Sequence, residues 1–235
     1  MTAEARPRLR ADARRNRDRI IATATQAFAD DGPDVPMEEI ARLAGVGVGT
    51  LYRRFPDREA LVVAVVRDSL ATTLARARAA ADSDAAAAAD PATKADPATA
   101  DPAAAEGRAW DALVNSLNPS HELRLTMRLT SLFSPTTAAA VRADPAITRI
   151  RREYAETLDA LVLAAQAEGS LRPDVGSGDV AHLLSLAAYG LSRAPDATAE
   201  IAFDRARAII LDGLRAHPTA PLPGHPLTTT DLASE

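Results

Sequence analysis

Cysteine is missing from all 235 residues, so the chain holds no disulfide and no thiol nucleophile. Aromatic side chains make up only 3% of it. No apolar run approaches the ~20 residues that a membrane-spanning helix requires. The N-terminus lacks the apolar stretch of an export signal. Together these absences lead to the expectation of a cytoplasmic protein without membrane contact. The four histidines, His121, His182, His217 and His225, lie neither near one another nor near carboxylates at metal-ligand spacing. Gly45-Val46-Gly47-Val48-Gly49 is rich in glycine, but no strand precedes it, as a nucleotide-binding loop would need. The chain is therefore expected to hold no metal or cofactor and not to be an enzyme.

What is present favours helices. Hydrophobic residues reach 47%, enough for a core, and much of that share is alanine, the strongest helix former. The length allows one small and one ordinary domain. The formal net charge is −5, which by itself argues against nucleic acid. Its distribution does not. Residues 1–78 hold 14 arginines against 11 Asp and Glu, a net of +3, and the remainder carries −8. The positive end is the N-terminal one.

Within that end, Glu38–Leu61 reads as two short helices, a glycine turn and the start of a longer helix. The first short helix, Met37–Ala44, sets Ile40, Ala41 and Ala44 on one face. Gly45 ends it, because glycine enters the left-handed region without a Cβ penalty. The second begins at Gly47 or Val48 and runs to about Phe55, with Leu51 and Phe55 inward and Thr50, Arg53 and Arg54 outward. Pro56 stops it, and Asp57 caps the next helix. Such a pair, basic and polar on its second member, is a helix-turn-helix, whose second helix fits the major groove.

The string Ala44-Gly45-Val46-Gly47-Val48-Gly49-Thr50-Leu51-Tyr52-Arg53-Arg54-Phe55 resembles the recognition segment of the tetracycline-repressor (TetR-like) family of bacterial transcription regulators. Ile20, Ile21, Ala24 and Phe28 match that family's first helix and Ile40-Ala41 its second. Pro56, Arg58, Glu59, Ala60 and Leu61 match the start of its fourth. The likeness covers about residues 14–73, where many positions of differing chemistry agree in order. Beyond it, only the all-helical plan is shared. The resemblance implies an all-α protein. An N-terminal three-helix DNA-binding domain would be followed by a helical domain for ligand binding and dimerisation. It also implies double-stranded operator DNA and a small-molecule effector as partners, and a homodimer.

The candidate DNA contacts are Arg42, Val48, Gly49, Thr50, Tyr52, Arg53, Arg54 and Arg58. Gly47 and Gly49 leave little bulk, so the backbone could approach DNA closely. Thr50 suits a phosphate or a thymine methyl. Arg53 is the candidate base reader, since its guanidinium can bond guanine O6 and N7 together. Arg42 and Arg54 could add phosphate contacts. By the resemblance, Tyr52 and Arg58 match positions that commonly contact phosphate. The plain alternative is a set of ordinary exposed side chains. Two departures stand out: the family often has Ser or Thr where this chain has Pro36 and Gly47. Asp34 is the replacement cap that the sequence offers, with Pro36 in the first turn.

The remaining boundaries follow from composition. Residues 1–13 read as a disordered basic arm, either phosphate-neutralising or merely solvated. The first helix is expected over 14–31, and the DNA-binding domain over 14–73 with its motif at about 36–55. Residues 74–107 take in the end of the fourth helix, near Arg78, and a low-complexity linker. There Ala89-Asp90-Pro91-Ala92-Thr93 recurs as Ala95-Asp96-Pro97-Ala98-Thr99, and proline interrupts helix propagation. Residues 108–216 form the effector and dimerisation domain, and 217–235, with four prolines, a disordered tail. Within the body, helices are expected near Trp110–Leu117, Ser120–Phe133, Ile147–Ala165, Asp179–Ser192 and Ala199–Ala216. Trp110, Met127, Phe133 and Tyr154 could line an effector pocket or be plain core. Of the last two helices, Asp179–Ser192 is apolar nearly all round, with Val180, Leu183, Leu184, Leu186, Ala187, Ala188 and Leu191, and the final one carries Ile201, Ile209, Ile210 and Leu214 with the small residues Ala202, Ala206 and Gly213 between. Paired with a second copy they would form the four-helix dimer contact typical of the resembled family; alone they would be monomer core. The rival to a DNA-binding repressor is a helical ligand- or partner-binding protein whose head no longer reads specific DNA.

Overall fold

The computed structural model describes residues 5–32, 34–89, 107–118, 134–191, 196–216 and 220–228. They form nine helices: α1 (Ala5–Asp31), α2 (Met37–Leu43), α3 (Val48–Arg54), α4 (Arg58–Ala89), α5 (Arg108–Ser116), α6 (Pro135–Ala143), α7 (Pro145–Glu168), α8 (Ser177–Leu191) and α9 (Asp196–Gly213). Among the described residues the one β-type pairing is an isolated antiparallel bridge, Leu171 with Arg215. The fold is all-α, and no described helix is long and apolar enough to cross a membrane. Two compact units result: Met1–Leu70 with His121–Thr148, and Ala71–Ser120 with Arg149–Glu235.

The first unit is built on helical spacing. Ile20, Ile21, Ala24 and Phe28 of α1 are buried against Ile40 and Ala41 of α2, Leu51 of α3, and Leu61, Val62 and Val65 of α4. Val141 of α6 and Ile147 of α7 join this core. Asp144 is the corner between α6 and α7. One carboxylate oxygen accepts the Ile147 amide at 2.9 Å, capping α7. The other takes Nη2 of Arg67 on α4 at 2.5 Å.

The second unit closes around Trp110, Leu113, Leu158, Leu161, Val162, Ala165 and Leu171. Glu168 at the end of α7 accepts the amides of Ala109 and Trp110, at 3.1 and 3.2 Å, and so caps α5 from across the fold. Burial works against its charge, but the Ser170 hydroxyl and those amides more than offset it, and its pKa is lowered.

Four expectations need correction. First, α1 starts at Ala5, not Arg14. Pro7 falls in its first turn, where a missing N–H is harmless, and Ala, Leu and Arg are strong helix formers. Second, α4 continues past Arg78 to Ala89, because its last five residues are alanine. Third, Pro36 rather than Asp34 holds the N-cap position of α2, with no side-chain bond. Glu38 and Glu39 complement the helix dipole there instead.

The fourth correction concerns the tail. Residues 220–228 are strapped to the second unit. Arg172 grips Asp174 through Nε and Nη2, at 2.6 and 2.8 Å, and also donates to the Ala220 carbonyl at 3.1 Å. Asp174 accepts the Leu222 amide at 2.9 Å. Asp179 accepts the amides of Gly176 and Leu227, at 2.8 and 2.9 Å, and Gly178 N–H donates to Leu227 O at 2.9 Å. The fit depends on glycine: a Cβ on Gly176 would lie 2.0 Å from Leu227 O, and one on Gly178 2.3 Å from Thr228 O. The expected helix over 120–133, the repeat over 90–106 and residues 229–235 lie outside the described residues.

Candidate nucleic-acid interface

Backbone geometry at the turn between α2 and α3 follows the sequence closely. Gly45 adopts φ +61°, and the Val46 amide bonds Ala41 O at 3.0 Å. Gly47 is the N-cap of α3 in extended conformation, its carbonyl accepting the amides of Thr50 and Leu51 at 2.8 and 3.1 Å. Leu51 is fully buried and Phe55 nearly so. Those two anchors fix the roll of α3 and turn its other face to solvent.

That face brings together most of the expected contacts. Val48, Gly49, Tyr52, Arg53 and Arg54 are exposed and Thr50 is half-exposed. A Cβ placed on Gly49 would meet nothing within 4 Å. Arg53 donates through Nη2 to the Thr50 hydroxyl at 3.0 Å, which holds the guanidinium along the helix. Arg58 is half-buried in the first turn of α4 and donates to Asp34 O at 3.4 Å. Arg17 of α1 lies over the Phe55 ring at 5.9 Å.

Two acidic residues on the same surface went unremarked in the sequence. Glu39 takes Arg42 through two bonds, Nε at 2.8 Å and Nη2 at 2.6 Å. This contact lowers the Glu39 pKa and raises that of Arg42. Glu38 accepts the Tyr52 hydroxyl at 3.1 Å, and that bond is the main reason the phenol's pKa rises. The first pair could have been found from its i, i+3 spacing on a helix. The second spans fourteen residues and is made by the fold.

The candidate effector residues fare unevenly. Trp110 is buried in the core of the second unit, with the Arg215 guanidinium 4.7 Å from its ring centre. Tyr154 packs at the edge of that core, and burial pushes its hydroxyl up to about 12. Met127 and Phe133 lie outside the described residues. No group of three or more potential metal ligands occurs among the described residues.

A family model described as bacterial regulatory proteins, tetR family, matches residues 20–65. A second, described as the C-terminal domain of SbtR-like transcriptional regulators, matches residues 124–216. An HTH-type transcriptional regulator of Staphylococcus aureus is 40% identical over 63 residues, 26% of this chain and 34% of that one. The match thus spans about a third of that curated relative's length. Among solved structures, a TetR transcriptional regulator of Streptomyces coelicolor is 31% identical, covers 87% of this chain and 99% of its own, and superposes with a TM-score of 0.57. A TetR regulatory protein of Mycobacterium vanbaalenii is 28% identical over 88% of this chain and 99% of its own, with a TM-score of 0.55.

Proposed function

The chain belongs to the TetR family of bacterial regulatory proteins, and from that premise we propose that it is a homodimeric repressor that binds a palindromic operator and leaves it when a small molecule occupies the second unit. The observation that carries this reading is the roll of α3. Its apolar anchors Leu51 and Phe55 are inside, and Val48, Gly49, Thr50, Tyr52, Arg53 and Arg54 are offered outward on one helix. In this reading Arg53 reads a base edge. Tyr52, Arg54, Arg58 and, once freed from Glu39, Arg42 fix the register on phosphates.

Dimerisation has its own support. Leu183 and Leu186 on α8 and Ile201 and Ile209 on α9 are exposed, Ile209 at 69%. Apolar faces on two adjacent helices fit burial against the same faces of a second copy. Two heads so joined read half-sites about one turn of DNA apart, ~34–36 Å, or a multiple of it. Release follows if the effector binds better to the dimer whose heads are badly spaced for DNA.

The test is a fluorescence-anisotropy titration against the duplex upstream of the protein's own gene, beside a scrambled duplex, at two salt concentrations. A preference for the upstream duplex that survives the higher salt is the expected result. Equal binding to both duplexes that vanishes with salt, repeated in a genome-wide selection of bound fragments, would favour the rival: a ligand- or partner-binding protein with a head that reads no sequence.

A further inference from the structure

The start of α8 lacks a cap of its own. Gly176, the residue before it, accepts the Val180 amide through its carbonyl at 3.3 Å, but it has no side-chain oxygen to offer the other amides of the first turn. Gly178 lies inside that turn, and glycine is, after proline, the weakest helix former. The missing acceptor comes from the far end of the chain. The Leu227 carbonyl takes the Gly178 amide at 2.9 Å, the bond that a serine or aspartate at the capping position would make. Asp179 holds this arrangement together. One of its carboxylate oxygens accepts the amides of Gly176 and Leu227, at 2.8 and 2.9 Å, the first of them half of a capping box.

The end of α9 is fixed at the same junction. Arg172, only 8% exposed, donates its backbone amide to Leu214 O at 3.0 Å and its Nη1 to Gly213 O at 3.3 Å, satisfying carbonyls that the helix end leaves open. The same guanidinium takes Ala220 O, and its partner Asp174 takes the Leu222 amide. Residues 170–179 are therefore where the start of α8, the end of α9 and the strap meet. The strap makes these bonds through its backbone alone. Residues 220–226 keep their side chains exposed, and Leu227 is half-buried. A segment held in this way, with little apolar burial, belongs to the least stable part of a fold and can leave without opening the core.

The two helices tied by the strap are the ones that expose Leu183, Leu186, Ile201 and Ile209. We propose that the strap is a latch on the dimer contact. Docked, it caps α8 and fixes its start against the end of α9, so that both apolar faces are presented together to a second copy. Undocked, it leaves a first turn with two glycines and no cap, and the contact weakens. This rests on reading α8 and α9 as the dimer contact.

The experiment uses the full chain and its Leu222→Pro, Leu227→Pro double variant. Each proline removes an N–H that Asp174 or Asp179 accepts and leaves α8 and the core residues unaltered. In the variant the amides of Gly178 and Val180 should exchange faster with solvent, while those of Leu158 and Leu161 in the core do not. The dimer dissociation constant, measured by sedimentation equilibrium, should rise by at least about tenfold, since each dimer loses two straps. Alanine at the same two positions keeps both amides and leaves α8 and the dimer as in the parent. An unchanged dissociation constant in the proline variant, faster exchange spread over Leu158 and Leu161 as well, or an equal loss with alanine each overturns the proposal. A parent that is monomeric at every concentration refutes the dimer reading and the latch with it, whereas a parent dimer indifferent to the prolines refutes the latch alone.

Discussion

Glu39 holds Arg42 at the surface, where water and salt screen the pair. A DNA phosphate therefore competes with Glu39 for Arg42, and part of the gain on binding goes to breaking the pair. Replacing Glu39 with Gln should strengthen binding to operator and scrambled duplexes alike and steepen the salt dependence by about one counterion; an unchanged slope in an anisotropy series over salt would place Arg42 away from the phosphates. Arg53 should behave in the opposite way. Arg53→Ala relaxes the choice at one base pair, by ~1–3 kcal/mol of discrimination, and a binding-site logo identical to the parent's would remove its role as reader. At this scale the sequence was informative about which side chains face outward, since Leu51 and Phe55 four apart fix the rest. It was silent on Glu38 and Tyr52, whose contact requires α2 and α3 to be already folded.

Helix ends were the hardest feature to read. The interiors of α2 and α3 follow from apolar spacing, and Gly45 and Pro56 mark their ends. The start of α1 and the end of α4 lie further out than the sequence leads one to expect, because an arginine cluster reads as a disordered basic arm and an alanine run as low complexity, although both residues propagate helices well. Ends fixed by distant side chains leave even less trace. Asp144 is the clearest case, serving as cap for α7 and ion-pair partner for Arg67 at once. Burial raises its pKa, but the Ile147 amide and the Arg67 guanidinium lower it further, so the net shift is downward from the ordinary 3.8. A carboxyl with a lowered folded pKa contributes its stability fully above the unfolded value and loses it as pH falls through the folded one. Asp144→Ala should cost about 1–2 kcal/mol near neutral pH, chiefly through the lost cap. The gap in melting temperature between variant and parent should close as pH drops below that of ordinary carboxylate titration. A gap that persists undiminished in acid would assign the effect to packing.

For the whole molecule, two surfaces matter. The exposed face of α8 and α9 is the proposed dimer contact, and Ile209→Glu should split the dimer in sedimentation and weaken operator binding together; a dimer that survives the substitution would move the contact elsewhere. The strap over 220–228 was invisible in the sequence, where its prolines suggested a loose tail. Its fixing points are backbone amides and carbonyls, which no residue pattern advertises, and two glycines that look like ordinary loop residues. Gly178→Ala should release it, seen as faster amide hydrogen exchange at Leu222 and Leu227, and unchanged exchange there would mean that the strap tolerates the side chain. Because Leu227 and Thr228 pass where Cβ atoms would stand, the two glycines and the last stretch of chain should be inherited as one unit. Relatives whose chains stop short of the strap are free to carry any side chain at the positions of Gly176 and Gly178, whereas those that keep it are not. Glycine at both sites and tail length should therefore be gained and lost together down the lineage, a record of this contact that can be sought in genomes alone.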